Sequence, residues 1–94
     1  MVVLEIQHYV DNFENWKKIF DSDPVSRENM RVKQYQICRN TSEPNNVIVG
    51  LLFADAADAA SMLAVLQTQW GKMSDAIISE PKTRILKVEE SVNL

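Results

Sequence analysis

His8 is the one histidine in the chain, so it is the one side chain whose ordinary pKa lies near neutrality. It alternates with Leu4 and Ile6, which places it on an apolar strand face. A histidine there has two readings. It can shuttle a proton or orient a guest in a cleft between sheet and helices, or it can be a structural imidazole hydrogen-bonded at a sheet edge near a helix start. With no acid or base partner in view, the structural reading has the better standing. Cys38 is the one cysteine. A strand cysteine more often packs as a small hydrophobe than acts as a nucleophile. One histidine and one cysteine give no metal-ligand spacing, and no glycine-rich loop is present to cradle phosphate. A Ser–His–Asp order cannot be read from a single histidine. The residue types therefore imply neither a metal nor a cofactor.

A second group of side chains suits an apolar guest. Met62, Leu66, Trp70 and Met73 recur late in the chain, beside Gly71. Methionine adapts to irregular apolar shapes, and glycine signals a local break in the helix. Tyr35 and Arg39 share a strand face and could fix a polar head group, or could equally be a hydrogen-bonding pair on the barrel side of the sheet. Trp16 and Phe20 could join the same wall, although core packing is the default for such positions.

The elements that must position these residues follow from periodicity. Val2 to Val10 alternates as a strand. Asp11 and Asn12 are N-cap types, followed by Phe13, Trp16 and Phe20 at helical spacing. Asp23-Pro24 reads as a new cap and first turn, so a kinked or second helical segment is expected to about Met30. Val32 to Asn40 is a second strand and Thr41 to Asn46 a turn. Val47 to Phe53 is a continuous apolar run, the mark of a central strand covered on both faces. Asp55 caps a second helix carrying Ala59, Met62, Leu63, Leu66 and Trp70, with Asp58 suited to its positive end. Lys72 to Ile78 is expected to add a turn or two. Pro81 ends that segment, and Lys82 to Glu90 is a last strand with Arg84, Leu86 and Val88 on one face. Laying Asp11 on Asp55 also sets Val3 on Val47 and Tyr9 on Phe53, a weak internal repeat.

The order β-α-β-β-α-β is the split βαβ, or ferredoxin-like, arrangement of the α+β class. It predicts a four-stranded antiparallel sheet with both helices on one face, as a single domain over residues 1–94. The composition agrees, with 46% hydrophobic and 24% charged residues and a net charge of −3. Lys and Arg are scattered, which disfavours nucleic-acid binding. The N-terminus has no leader pattern, and no apolar run is long enough to span a membrane, so a cytoplasmic protein is expected. Val47 to Phe53 offers apolar residues on both sides, including Ile48 and Leu52. The open sheet face therefore needs a cover, and a second copy would supply one, giving a homodimeric α/β barrel.

The run from His8 to Lys17, Phe20-Asp21, Arg27, Arg39-Asn40, Glu43-Pro44-Asn45, the Val47–Phe53 strand and Glu80-Pro81 give the chain a further likeness. It resembles the dimeric α/β-barrel superfamily, in particular the small uncharacterised members near the antibiotic-biosynthesis monooxygenases. The resemblance runs nearly end to end and implies the fold more than an activity. That superfamily holds oxygenases, isomerases, cyclases and haem-degrading enzymes. Glycines usual in such relatives are replaced here around Met30-Arg31 and Asp75-Ala76. The histidine that haem-degrading members carry on the late helical segment is absent, although Trp70 falls where they place a tryptophan. Haem degradation is therefore not expected. Three function classes stand: a binder of a small apolar or amphipathic (acyl or aromatic) molecule in the sheet–helix cleft; a cofactor-independent monooxygenase or isomerase with His8 as base; and a non-catalytic protein-interaction module.

Overall fold

The computed structural model describes residues 1–73 and 78–94. Along the chain run β1 (Val2–Tyr9), α1 (Phe13–Asp21), β2 (Gln34–Arg39), β3 (Asn46–Phe53), α2 (Ala56–Trp70) and β4 (Ser79–Lys87). The strands form one antiparallel sheet in the order β2-β3-β1-β4, the ferredoxin-like arrangement. Register sets Val2 of β1 opposite both Phe53 and Lys87, so β1 and β3 are central and β2 and β4 are the edges.

Strand alternation divides the sheet cleanly. Leu4, Ile6 and His8 of β1 and Val47, Val49, Leu51 and Phe53 of β3 are buried on the helix side. Trp16 from α1 and Ala59 and Met62 from α2 close over them. The other face carries half-buried Val3, Ile48 and Leu52. Leu86, opposite Val3, is 38% exposed. An Arg84–Glu5 ion pair at 2.9 Å stands on the same face.

Each helix starts at a side-chain cap. The Asn12 carboxamide oxygen accepts from the Asn15 N–H at 2.9 Å, and the Asp55 carboxylate accepts from the Asp58 N–H at 2.9 Å. Such caps satisfy donors that the first turn leaves free. Because Asn12 rather than Asp11 caps α1, the internal repeat shifts by one residue. Asn12 on Asp55 sets Leu4 on Val47, Ile6 on Val49 and Val10 on Phe53, all of them buried. The Asp11-based alignment would have laid outward residues on inward ones. In the corrected register His8 occupies the slot held by Leu51 in the second half, a core position given to a histidine.

Two expectations about local structure are corrected. Residues 23–31 do not form a helical segment. Asp23, Ser26 and Arg31 have φ of 55°, 53° and 68°, and each left-handed residue breaks helical continuity. The segment is a chain of tight turns, closed by bonds such as Ser26 N–H to Asp23 O (3.1 Å) and Val32 N–H to Arg27 O (3.0 Å). The last strand also starts before Pro81 and ends at Lys87, short of Glu90. Between the pairs Tyr9–Ser79 and Gln7–Lys82, Glu80 and Pro81 together oppose His8. This is a bulge with Glu80 at φ 53°, and on an edge strand Pro81 costs no ladder bond that a bulge would not already forgo. The end of α2 at Trp70 agrees with the expected break at Gly71. The further turns expected over Lys72 to Ile78, and the Asp75-Ala76 departure, fall mostly or wholly outside the described residues.

Candidate functional site

Between sheet and helices lies a cavity of about 80 Å³. Its floor is Ile6, His8, Val49 and Leu51 from the central strands. Trp16, Ile19 and Phe20 of α1 form one wall, and Met62, Leu66 and Trp70 of α2 form the other. Pro24, Val25 and Arg27 from the turn segment, with Met73 and Ile78 beyond α2, complete the lining. The space follows from the sequence of α2. Of its alanines only Ala59 is buried, and Leu66 and Trp70 are half-buried, so the C-terminal half of the helix does not close onto the sheet. The volume is about half of the roughly 150 Å³ that holds a benzene, so the cavity takes a small apolar group and the rest of a guest lies toward its mouth.

Three lining side chains are polar: His8, Arg27 and Gln69. His8 is 2% exposed, and its Nδ1 has no hydrogen-bond partner. Its ring lies 5.2 Å from the Trp16 ring, tilted by 50°. Burial pushes the His8 pKa down from its ordinary 6.5 to about 4, and a backbone hydrogen bond at Tyr9 only partly opposes this. The imidazole is therefore neutral at pH 7, and its Nδ1 has no protein partner among the described residues. A buried acceptor that nothing pairs with costs about 1–3 kcal/mol. Because β1 is a central strand, His8 does not stand at a sheet edge.

Of the residues singled out in the sequence, His8, Met62, Leu66, Trp70 and Met73 meet around this cavity. Tyr35 and Arg39 do not. Tyr35 is 46% exposed and packs edge-on to Phe20, with ring centres 5.1 Å apart. Arg39 lies over the Phe13 ring at 4.2 Å and donates from Nε to the Pro44 carbonyl at 2.9 Å. Both are on the helix side of the edge strand β2, beyond the reach of the cavity. Cys38 is exposed on the opposite face. Among the described residues, no three His, Cys, Asp or Glu side chains converge as a metal site would require. Of the polar lining residues the sequence reading singles out neither Gln69 nor the charged Arg27 as a ligand contact. The place of Arg27 depends on the turns of residues 23–31, which a helical expectation hides.

An antiparallel sheet in the order β2-β3-β1-β4 with both helices on one face defines the ferredoxin-like fold. Solved structures give the particular likenesses. SnoaB, a cofactor-independent oxygenase from Streptomyces nogalater, superposes with a TM-score of 0.72 at 12% identity, covering 97% of this chain and 95% of its own. A candidate antibiotic biosynthesis monooxygenase from Deinococcus radiodurans gives 0.68 at 12% identity, with 100% and 98% covered. A dimeric ferredoxin-like protein from an uncultured marine organism gives 0.67 at 16% identity, with 97% of each chain covered. At such identities the likeness is one of fold. No protein-family profile and no curated protein matches the chain. Among the described residues, no helix is long and apolar enough to cross a membrane.

Proposed function

We propose that this chain binds a small apolar or aromatic molecule bearing one hydrogen-bond donor, with the donor placed on His8 Nδ1. The observation that carries the reading is that buried nitrogen, without a protein partner among the described residues, in a largely apolar cavity. Buried polar groups are nearly always satisfied, so an exception beside empty space calls for a partner. A neutral imidazole is an acceptor, and a hydroxyl-bearing guest supplies what it lacks.

The test is a calorimetric titration at pH 7 with p-cresol and with its methyl ether, which keeps the ring and loses the O–H. The cresol is expected to bind roughly tenfold or more tightly than the ether, since a buried acceptor left unpaired costs about 1–3 kcal/mol. His8→Leu should abolish that preference while retaining weak binding of both. Equal affinity for the two compounds in the parent protein would dismiss the role of His8.

The oxygenase neighbours favour a second reading, in which His8 is the base of a cofactor-independent monooxygenase or isomerase and Trp70 a wall of its site. A base with pKa near 4 is poorly matched to proton abstraction at neutral pH, where efficiency is best for a pKa near the working pH. Binding is therefore the preferred reading. Oxygen uptake with a phenolic substrate, lost in His8→Leu, would reverse that order. No feature of the described residues favours the protein-interaction module over either.

The same reading includes a homodimer joined through the open sheet face. Val3, Ile48, Leu52 and Leu86 form an apolar strip there, and one neighbour of the same fold is itself described as dimeric. Leu52→Glu sets a charge in the middle of that strip. Native mass spectrometry is expected to give a dimer for the parent and a monomer for the variant. A parent monomer, or a variant that stays dimeric, would rule this interface out. A reducing, cytoplasmic setting suits the single exposed thiol, Cys38.

A further inference from the structure

Among the described residues Arg27 holds the only cationic group on the cavity wall, and its geometry is unusual for a surface arginine. The side chain is 15% exposed. Its guanidinium carbon lies 4.0 Å from the centre of the Phe20 ring and 4.9 Å from that of Tyr35. Nη1 donates to the Phe20 carbonyl at 2.8 Å, near the C-terminal end of α1. Stacking on rings and bonding to a helix end fix the plane of the group, so little rotamer freedom is left to lose. Arg27 also borders a shallow outer groove with Tyr35 and Lys33, so it stands where the cavity meets the surface.

Its charge is only partly answered. Asp23 is the nearest carboxylate, but its Oδ1 accepts from the Arg27 backbone N–H at 2.8 Å and lies 3.6 Å from Nη1. That separation is too long for a hydrogen bond, and the Asp23 side chain is 38% exposed. A guanidinium has five N–H donors in a fork suited to a carboxylate, and the carbonyl of Phe20 occupies one of them. The structural role, satisfying a helix-end carbonyl, uses one donor, and the others stay free of protein acceptors among the described residues at the cavity mouth, where solvent or a guest can reach them. At the other polar point the neutral His8 is walled by apolar groups and gives an anion no counter-charge.

We infer that the natural guest is an anion, a small aromatic or branched apolar carboxylate whose head group pairs with Arg27 at the cavity rim. The inference rests on the binding reading above and narrows it from an apolar molecule to an acidic one. The cavity takes one small apolar group and leaves the head group at the rim beside Arg27, which sets the size of the acid.

The experiment compares 4-hydroxyphenylacetate, whose phenol keeps the donor for His8, with its neutral isostere 4-hydroxyphenylacetamide by calorimetry at pH 7, with p-cresol as a charge-free reference. The parent protein is expected to prefer the acid by roughly tenfold or more, as charge-assisted bonds exceed neutral ones. Arg27→Gln should erase the preference while retaining affinity for the amide. Arg27→Lys, which keeps a charge and a donor for the Phe20 carbonyl but not the fork, should restore part of it. Equal affinity for acid and amide in the parent, or a preference that survives in Arg27→Gln, overturns the inference. If p-cresol binds and neither the acid nor the amide does, the anionic guest is wrong and the binding reading stands. If none of the three binds, both fall together.

Discussion

The domain is expected to lose about 3 kcal/mol of folding stability between pH 7 and pH 4 through His8 alone. The imidazole has a pKa of about 4 when folded and its ordinary 6.5 when exposed. Between those values the unfolded chain takes up a proton that the folded chain refuses, so stability falls as the pH falls. The contribution is fully present above pH 6.5, is lost down to about pH 4 and changes little below it. Carboxylates also titrate at the acid end of this range, so the measurement is a difference. Urea unfolding of the parent and of His8→Leu is followed at pH 7 and pH 4, at one fixed protein concentration because a dimer's stability depends on it. The variant should escape the His8 share of the loss and be the more stable of the two at pH 4. Parallel losses in both proteins would mean that the imidazole is not held neutral by burial.

Phe53→Ala should cost about 3–5 kcal/mol, the largest single-site loss expected in this domain. Phe53 is fully buried at the end of β3, paired with Val2, and does not line the cavity. Its removal leaves a void among Leu4, Leu51 and Met62, which also have almost no exposure. The whole stability of a chain this long is on the order of 5–14 kcal/mol, so the variant retains only a slim margin. The urea midpoint at pH 7 provides the check, and a loss under about 1 kcal/mol would show that the core relaxes around the gap. The pair of variants separates two functions of the helix-facing side of the sheet. Phe53 holds the fold together, whereas His8 spends stability on a nitrogen kept bare for a guest.

The architecture was legible because periodicity speaks for buried faces. Alternation in β1, the apolar run of β3 and the Asp55 cap each survive whatever lies around them, since each reflects a local geometry. The placement of His8 under the helices followed from Leu4 and Ile6 by the same logic. Where local signals misled, backbone conformation decided. Asp23, Ser26 and Arg31 adopt left-handed conformations that nothing in their side chains announces, so a turn segment read as helix. Pro81 read as a stop, yet a bulge on an edge strand accommodates it. Tyr35 and Arg39 share a face, but the edge position of β2 and their stacking on Phe20 and Phe13 carry them away from the cavity. Arg27 enters the wall only because the turns fold it back onto Phe20, a contact between residues that no period relates.

The strand order also bears on how the molecule comes into being. β1 leaves the ribosome before the other three strands, yet its sheet partners are β3 and β4, and Val2 pairs with Lys87. A chain emerging from its N-terminal end cannot settle β1 until the last strand has been synthesised, and meanwhile the apolar edge of β1 stands open. Such distant pairing carries a high loop-closure cost and slows folding compared with helical bundles of similar size. For this domain, assembly during translation is a matter of waiting rather than of building outward from the start.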